Sequence, residues 1–351
     1  MIMNPIAEFC RELKTGFTPR SKDPRRFVRV WSENDSYKDK IIKAFVIILR
    51  TKGCSWAQHS GCSMCGYFND SAWENITAED LIQQYTTAME TYANEPVVKI
   101  FTSGSFLDTT EVPLSVQNHI IQDLSGNVEK IMFESRPVYV TDQRLKEIST
   151  ISQNTNVQIG VGLETANDMI RTFSINKGFS LKEYQKAESI IHTNNMLLKT
   201  YVLIKPVFLT EQQSIDDVLQ TVDIIKKSTD TISFNPCNVQ RNTLTEYLWK
   251  RNQYRPPWLW SIVEILKESK QRAPGVRLQC DIAGGGSSRG AHNCRQCDKA
   301  VLEAISQFSL TQDETVFNDL DCSCREQWRD QLDMETLTFG SIVDFSKEVV
   351  P

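Results

Sequence analysis

Three cysteines, Cys54, Cys62 and Cys65, stand on one short segment just after the apolar run 45–49. Seven residues separate the first two and two separate the last pair. The run, Phe-Val-Ile-Ile-Leu, reads as a buried strand, so the thiols fall on the loop at its carboxyl end. Thiolates bind soft metal centres. Three of them are one short of the four that close a structural zinc site. The set suits a [4Fe–4S] cluster, which cysteine thiolates hold, with the fourth iron left for an exogenous ligand. A structural zinc loop and three unrelated buried thiols are the alternatives.

A second group lies near the other end of the chain: Cys280, His292, Cys294, Cys297, Cys322 and Cys324. Two residues part Cys294 from Cys297, 24 part Cys297 from Cys322, and one parts Cys322 from Cys324. Paired thiols joined by a helical segment, 299–308, form a tetrahedral zinc pattern, with Cys280 and His292 as substitute ligands. A second iron–sulfur cluster is the alternative, since thiolates alone do not fix the metal. The glycine-rich run 284–290 with Arg289 is not a P-loop, because no Gly-Lys-Ser/Thr follows.

With 351 residues the chain can bury a large core and carry an appendage. A hydrophobic share of 40% and a charged share of 24% are those of a soluble globular protein. The net charge of −5 argues against a wholesale polyanion-binding surface but leaves room for a local basic patch. Ten cysteines in clusters suggest metal sites rather than a disulfide framework. No signal-peptide pattern and no membrane-length apolar window is expected, and a reducing, cytoplasmic setting follows.

Residues 1–42 form a basic arm. A short helix at 5–13 is broken by Gly16-Phe-Thr-Pro19. Arg20, Lys22, Arg25, Arg26 and Arg29 then alternate with Phe27 and Trp31, and Lys38, Lys40 and Lys43 follow. Cations with nearby rings suit nucleic acid, through phosphate neutralisation and base stacking; a solvated arm wrapping the body is the plain alternative. Across 43–272 strand and helix patterns alternate. Strands are expected at 45–49, 97–102, 130–134, 157–163, 197–204 and 231–235, with helices at 78–92, 113–123, 141–151, 181–194 and 215–227. Strands dense in β-branched residues belong in a parallel sheet buried on both faces. Right-handed crossovers wind such units into a barrel, giving an α/β fold, a (β/α)6 partial TIM barrel; a doubly wound sheet is the alternative. A helix ending near 272 follows, and 273–351 forms a small cysteine-rich metal-binding region. Trp249, Trp258 and Trp260 beside Pro256-Pro257 make either a stacking platform for a base or a hydrophobic cap of the barrel.

The chemistry-bearing residues fall at strand carboxyl ends, where parallel barrels place their sites. Ser103-Gly104-Ser105 ends the second strand and Glu134-Ser135-Arg136 the third. Glu164 ends the fourth and Lys199 lies in the fifth. Arg136 has the geometry to hold a carboxylate bidentately. Lys199 is equally readable as a snorkelling or salt-bridged lysine.

Cys54 with Cys62-Ser63-Met64-Cys65 resembles the cluster loop of the radical S-adenosylmethionine (SAM) superfamily, although the first gap there is usually three. The whole chain resembles the archaeosine-biosynthesis radical SAM family (RaSEA), related to the Elongator catalytic-subunit group, in which the long gap looks normal. The match is carried by Lys52-Gly53-Cys54-Ser55-Trp56, Gly61 to Tyr67, Glu134-Ser135-Arg136-Pro137 and Gly162-Leu163-Glu164-Thr165. It extends to Asn238-Val239-Gln240, the run 254–261, Arg289-Gly290 and His292-Asn293-Cys294.

The resemblance implies a cluster on Cys54, Cys62 and Cys65 with SAM at the open iron. Met64 stands where the superfamily puts an aromatic residue over the adenine, and Tyr67 joins the cofactor set. Ser103, Gly104 and Ser105 replace a Gly-Gly-Glu-like turn that grips the SAM amino group. Ser135 and Glu164 would meet the ribose hydroxyls or the methionyl amine, with Glu134, Arg136 and Lys199 as further contacts. The implied substrate is tRNA bearing a lysine-adducted 7-cyano-7-deazaguanine, made by a lysine-transferase partner (ArcS-like). An external electron donor reduces the cluster, and SAM cleavage yields a 5′-deoxyadenosyl radical. That radical takes a hydrogen beside the lysyl nitrogen, and the carbon–nitrogen bond breaks to leave archaeosine, a lyase reaction. Another radical SAM tRNA modification, methylthiolation or Elongator-like carboxymethylation, and a zinc-binding RNA adaptor are the competing functions.

Overall fold

The computed structural model describes residues 4–15, 22–72 and 76–338. The break expected at 16–19 and the cation Arg20 lie outside the described residues. Eight strands make one sheet in sequence order: β1 (Arg29–Tyr37), β2 (Lys40–Ile48), β3 (Val97–Phe101), β4 (Lys130–Glu134), β5 (Asn156–Glu164), β6 (Leu197–Ile204), β7 (Thr231–Pro236) and β8 (Arg277–Cys280). Every neighbouring pair from β2 to β8 is parallel, and β1 runs antiparallel to β2. Each crossover sets the next strand beside the last, the connectivity of a barrel rather than of a doubly wound sheet.

The helices, in chain order, begin with α1 (Pro5–Thr15), α2 (Ser55–His59), α3 (Ala78–Met89), α4 (Leu114–Leu124) and α5 (Asp142–Ser152). Next come α6 (Asp168–Ile170), α7 (Leu181–Thr193), α8 (Glu211–Ile225), α9 (Leu244–Trp249), α10 (Leu259–Arg272), α11 (Asp298–Thr311) and α12 (Cys324–Thr338). Three of the crossover helices open with reciprocal caps: Thr77 with Asp80, Ser180 with Glu183, and Thr210 with Gln213. Each such box satisfies two backbone donors that a helix start leaves unpaired. The apolar faces of these helices bury Leu81, Ile120, Leu145, Ile191 and Val218 against Phe45, Ile100, Phe133, Ile159 and Val202 of the strands.

The sheet extends past 43–272 on both sides. Residues 29–37, read from the sequence as arm, are β1, and β8 lies within the cysteine-rich region. The barrel floor is polar. Lys99 Nζ lies 2.7 Å from Glu33 and 2.8 Å from Asp35 of β1, and Gln279 of β8 donates to Asp35 at 2.9 Å. The two edge strands therefore meet under the barrel through Asp35. Lys130 donates to Gln158 in the same layer.

Candidate functional site

β2 ends at Ile48 and the chain turns into the cysteine loop. Cys54 is the residue before α2, and Cys62 and Cys65 follow on the next turn. None of the three forms a disulfide. The Tyr67 N–H donates to the Cys65 sulfur. Burial pushes the Cys65 thiol up to about 12 and raises Cys62 as well. Neutral thiols here are therefore favoured unless a metal takes the proton's place.

The loop after β3 is pressed onto this one. A Cβ on Gly104 would come within 2.6 Å of Cys54 Cα, so only glycine permits the approach. Ser103 accepts from Ser71 at 3.0 Å, and Ser105 Oγ accepts from the Arg136 N–H at 3.0 Å. A residue that the sequence pattern did not flag, Glu111, clamps the two loops. Its carboxylate accepts from Thr51 Oγ1 and from the Ser105 N–H, both at 2.7 Å. Thr51 in turn accepts from the Gly53 N–H.

The remaining expected residues divide between the mouth of the barrel and its interior. Glu164, at a bulge in β5 and in the left-handed region at φ 70°, pairs with Lys177 at 2.5 Å. A non-glycine residue held there is a strained position of the kind that collects at functional sites. Although burial opposes it, the Glu164 carboxylate keeps the Lys177 ammonium protonated. Arg136 Nη2 donates to the Lys177 carbonyl at 3.1 Å, and its guanidinium stacks on Trp56 at 5.1 Å. Ser135 is buried with its hydroxyl on the Arg136 carbonyl. Tyr67 stands 58% exposed at the rim. Met64 is half-buried and packs, with Cys62, against the cluster of Ile170, Ile175, Leu203, Leu209 and Cys237.

Glu134 and Lys199 lie deeper. The Tyr201 hydroxyl hydrogen-bonds the Glu134 carboxylate, whose pKa burial raises. Lys199 sits 5.2 Å over the Tyr201 ring. Burial, with Lys99 nearby, lowers the Lys199 ammonium to about 8. The inward-facing Gly160 makes room for the Tyr201 ring, since a Cβ there would lie 2.9 Å from it. Lys177, Tyr201 and Glu111 escaped the sequence because each reaches the site from a loop or strand with no spacing signature of its own.

The second cysteine group converges. The Sγ atoms of Cys294 and Cys297 are 3.9 Å apart, Cys294 and Cys322 3.6 Å, and Cys297 and Cys324 3.6 Å. One ion bound tetrahedrally at about 2.3 Å from each sulfur sets its sulfurs about 3.8 Å apart. Among the described residues this is the one group of three or more Cys, His, Asp or Glu whose ligand atoms all lie within 4.8 Å of one another. Cys280 and His292 stand outside that group, His292 Nδ1 against the Gly290 carbonyl. Trp260 donates to Cys324 Sγ at 3.3 Å, and Trp258 and Trp260 are buried. Both rings belong to the main hydrophobic core, and Trp249 donates to the Ser288 carbonyl.

No family model matches the chain. The crystal structure of a radical SAM methyltransferase from Sphaerobacter thermophilus superposes with a TM-score of 0.50, covering 75% of this chain and 69% of that one at 12% identity. The half-barrel thus shares its fold with that enzyme. At the level of sequence, archaeosine synthase subunit beta of Methanosarcina acetivorans is 40% identical over 315 residues, 89% of this chain and 91% of the relative. The subunit of the same name from Thermococcus kodakarensis is 37% identical over 305 residues, 85% and 94% of the two chains. The chain belongs to the archaeosine synthase beta-subunit family. No helix among the described residues is long and apolar enough to cross a membrane.

Proposed function

We propose that this chain is the radical SAM component of a two-part archaeosine synthase. It would cleave the lysine carbon–nitrogen bond of lysine-adducted 7-cyano-7-deazaguanine in tRNA, acting as a lyase beside a lysine-transferase partner and an external electron donor. The reading rests on one observation: three free thiols on one loop at the carboxyl ends of the strands, with Gly104 pressed against Cys54. The donor set fits a [4Fe–4S] cluster, since three free thiols on one loop can hold three irons and leave the fourth without a protein ligand. When bound, the cluster and SAM supply a one-electron route to abstracting hydrogen from an unactivated C–H bond.

The chain's own residues hold and shield. Cys54, Cys62 and Cys65 would ligate three irons. Glu164 and Lys177 offer a paired carboxylate and ammonium beside them, and Arg136 presents a guanidinium fixed by Trp56. Glu134, Tyr201 and Lys199 line the interior, where a substrate group would be screened from water. Cys294, Cys297, Cys322 and Cys324 would hold zinc; their close spacing disfavours a second cluster and with it methylthiolation.

The test is anaerobic incubation with SAM, reductant and lysine-adducted tRNA, followed by nucleoside mass spectrometry. Archaeosine should form with the parent chain. Replacing Cys54, Cys62 or Cys65 by Ala should abolish it while the far-ultraviolet circular dichroism stays unchanged. Turnover persisting in those variants would reject the reading, as would a chain that carries no iron.

A further inference from the structure

We infer that Lys14, carried by α1, is a positioning residue that compensates the charge of the centre on Cys54, Cys62 and Cys65; the inference rests on the cluster reading above. α1 lies across the back of the cysteine loop. Phe9 packs edge-on against Tyr247 of α9 at 4.9 Å, and Cys10 is buried with Val207 and Leu244. From that anchor the Lys14 ammonium donates to the Ser60 carbonyl at 2.7 Å and to the Ala57 carbonyl at 3.1 Å. Arg11 reaches the His59 carbonyl at 3.3 Å, and Ser60 Oγ donates to the Ala7 carbonyl. The Ala57, His59 and Ser60 carbonyls lie at the end of α2, where a helix leaves them without partners. α1 thus finishes the turn that connects Cys54 to Cys62.

The ammonium also touches the ligand loop itself. It rests directly against Gly61, the neighbour of Cys62, where an added Cβ would fall on Nζ. It stands 4.8 Å over the Phe68 ring. No ion pair is formed by Lys14 among the described residues, whereas Lys177, the other lysine near Cys62, is paired with Glu164. Burial lowers the Lys14 pKa, and the thiols of Cys65, Cys62, Cys10 and Cys54 act in the opposite direction. An unpaired cation in a partly desolvated place acts strongly on charge beside it. On reduction the centre takes one electron from the external donor, with no bond made or broken, and its negative charge rises by one. Lys14 favours that state.

The experiment is a dithionite titration followed by electron paramagnetic resonance on the anaerobically reconstituted full chain and on Lys14→Gln, Lys14→Met and Lys14→Arg. Gln keeps a donor for the two carbonyls without the charge, and Arg keeps the charge. The Gln and Met variants should hold parental iron and reduce with an equilibrium constant about tenfold weaker, about 59 mV lower for a one-electron couple. Arg should stay at the parental value. Unchanged midpoints in Gln and Met would overturn the inference. Iron lost from Gln and Met but kept by Arg would support it, since charge would then be needed for the centre to assemble. Iron lost from all three would reduce Lys14 to packing and overturn it. A parental chain without iron would instead sink the cluster reading.

Discussion

Glu111 carries a carboxylate that no cation compensates within the clamp it forms. Burial pushes it up to about 7 from an ordinary 4.5, against the hydrogen bonds from Thr51 and Ser105 that hold it down. Between those two values the folded chain keeps a proton that the unfolded chain has already released. Stability therefore falls as pH rises through the window and levels off above it, by up to about 3 kcal/mol from this group. Glu111→Gln should remove that slope: unfolding midpoints at pH 5 and pH 8 should differ less in the variant than in the parent. Parallel behaviour of the two proteins would contradict the assignment. The cysteines and the strand-end residues were legible because a strand followed by reactive side chains is a local pattern. Lys14 and Glu111 were not, since a lysine on an amphipathic helix and a glutamate in a turn look like any solvated charge. Only the tertiary fold brings them to the thiols. The apolar neighbours of Met64 were hidden for a similar reason, since they lie far away in sequence.

At the scale of elements, β2 to β7 were legible to within a few residues, because parallel strands buried on both faces are continuous apolar runs. β1 was not. Its sequence, RVWSENDSY, alternates with polar residues on the face that enters the barrel, which resembles a solvated arm. A nine-residue ladder to β2 makes it a strand, and Lys99 on β3, almost fully buried, ties it down through Glu33 and Asp35. With Lys99 beside it, Asp35 is held well below the usual carboxylate range despite its burial. Removing one partner of a buried pair strands the other charge, at about 3–5 kcal/mol. Lys99→Met should therefore destabilise the chain by about that amount in urea unfolding. A loss below about 1 kcal/mol would mean that β1 is held mainly by its backbone ladder to β2. β8 was missed for want of length, having only four residues.

On the scale of the whole molecule, the thiols of 294–324 join α11 and α12 to α10 through the Trp260 bond to Cys324. A metal bound there stabilises the native chain by mass action. Stripping it with a chelator under reducing conditions should lower the melting temperature and shift the tryptophan emission to longer wavelength, and zinc should restore both. Unchanged melting after complete removal would show the site to be dispensable for the fold. The pairing of these four was legible from spacing, but their separation from Cys280 and His292 was not, because it depends on how the glycine-rich turn 284–290 folds back. The meeting of Gln279 with Asp35 spans 244 positions of the chain. During synthesis the ribosome releases the loop of Cys54, Cys62 and Cys65 long before the Gln279 amide that meets Asp35 beneath it. Contacts of such long range form late. A nascent chain can accordingly leave those thiols open to whatever they bind while the vessel around them still has one unclosed seam.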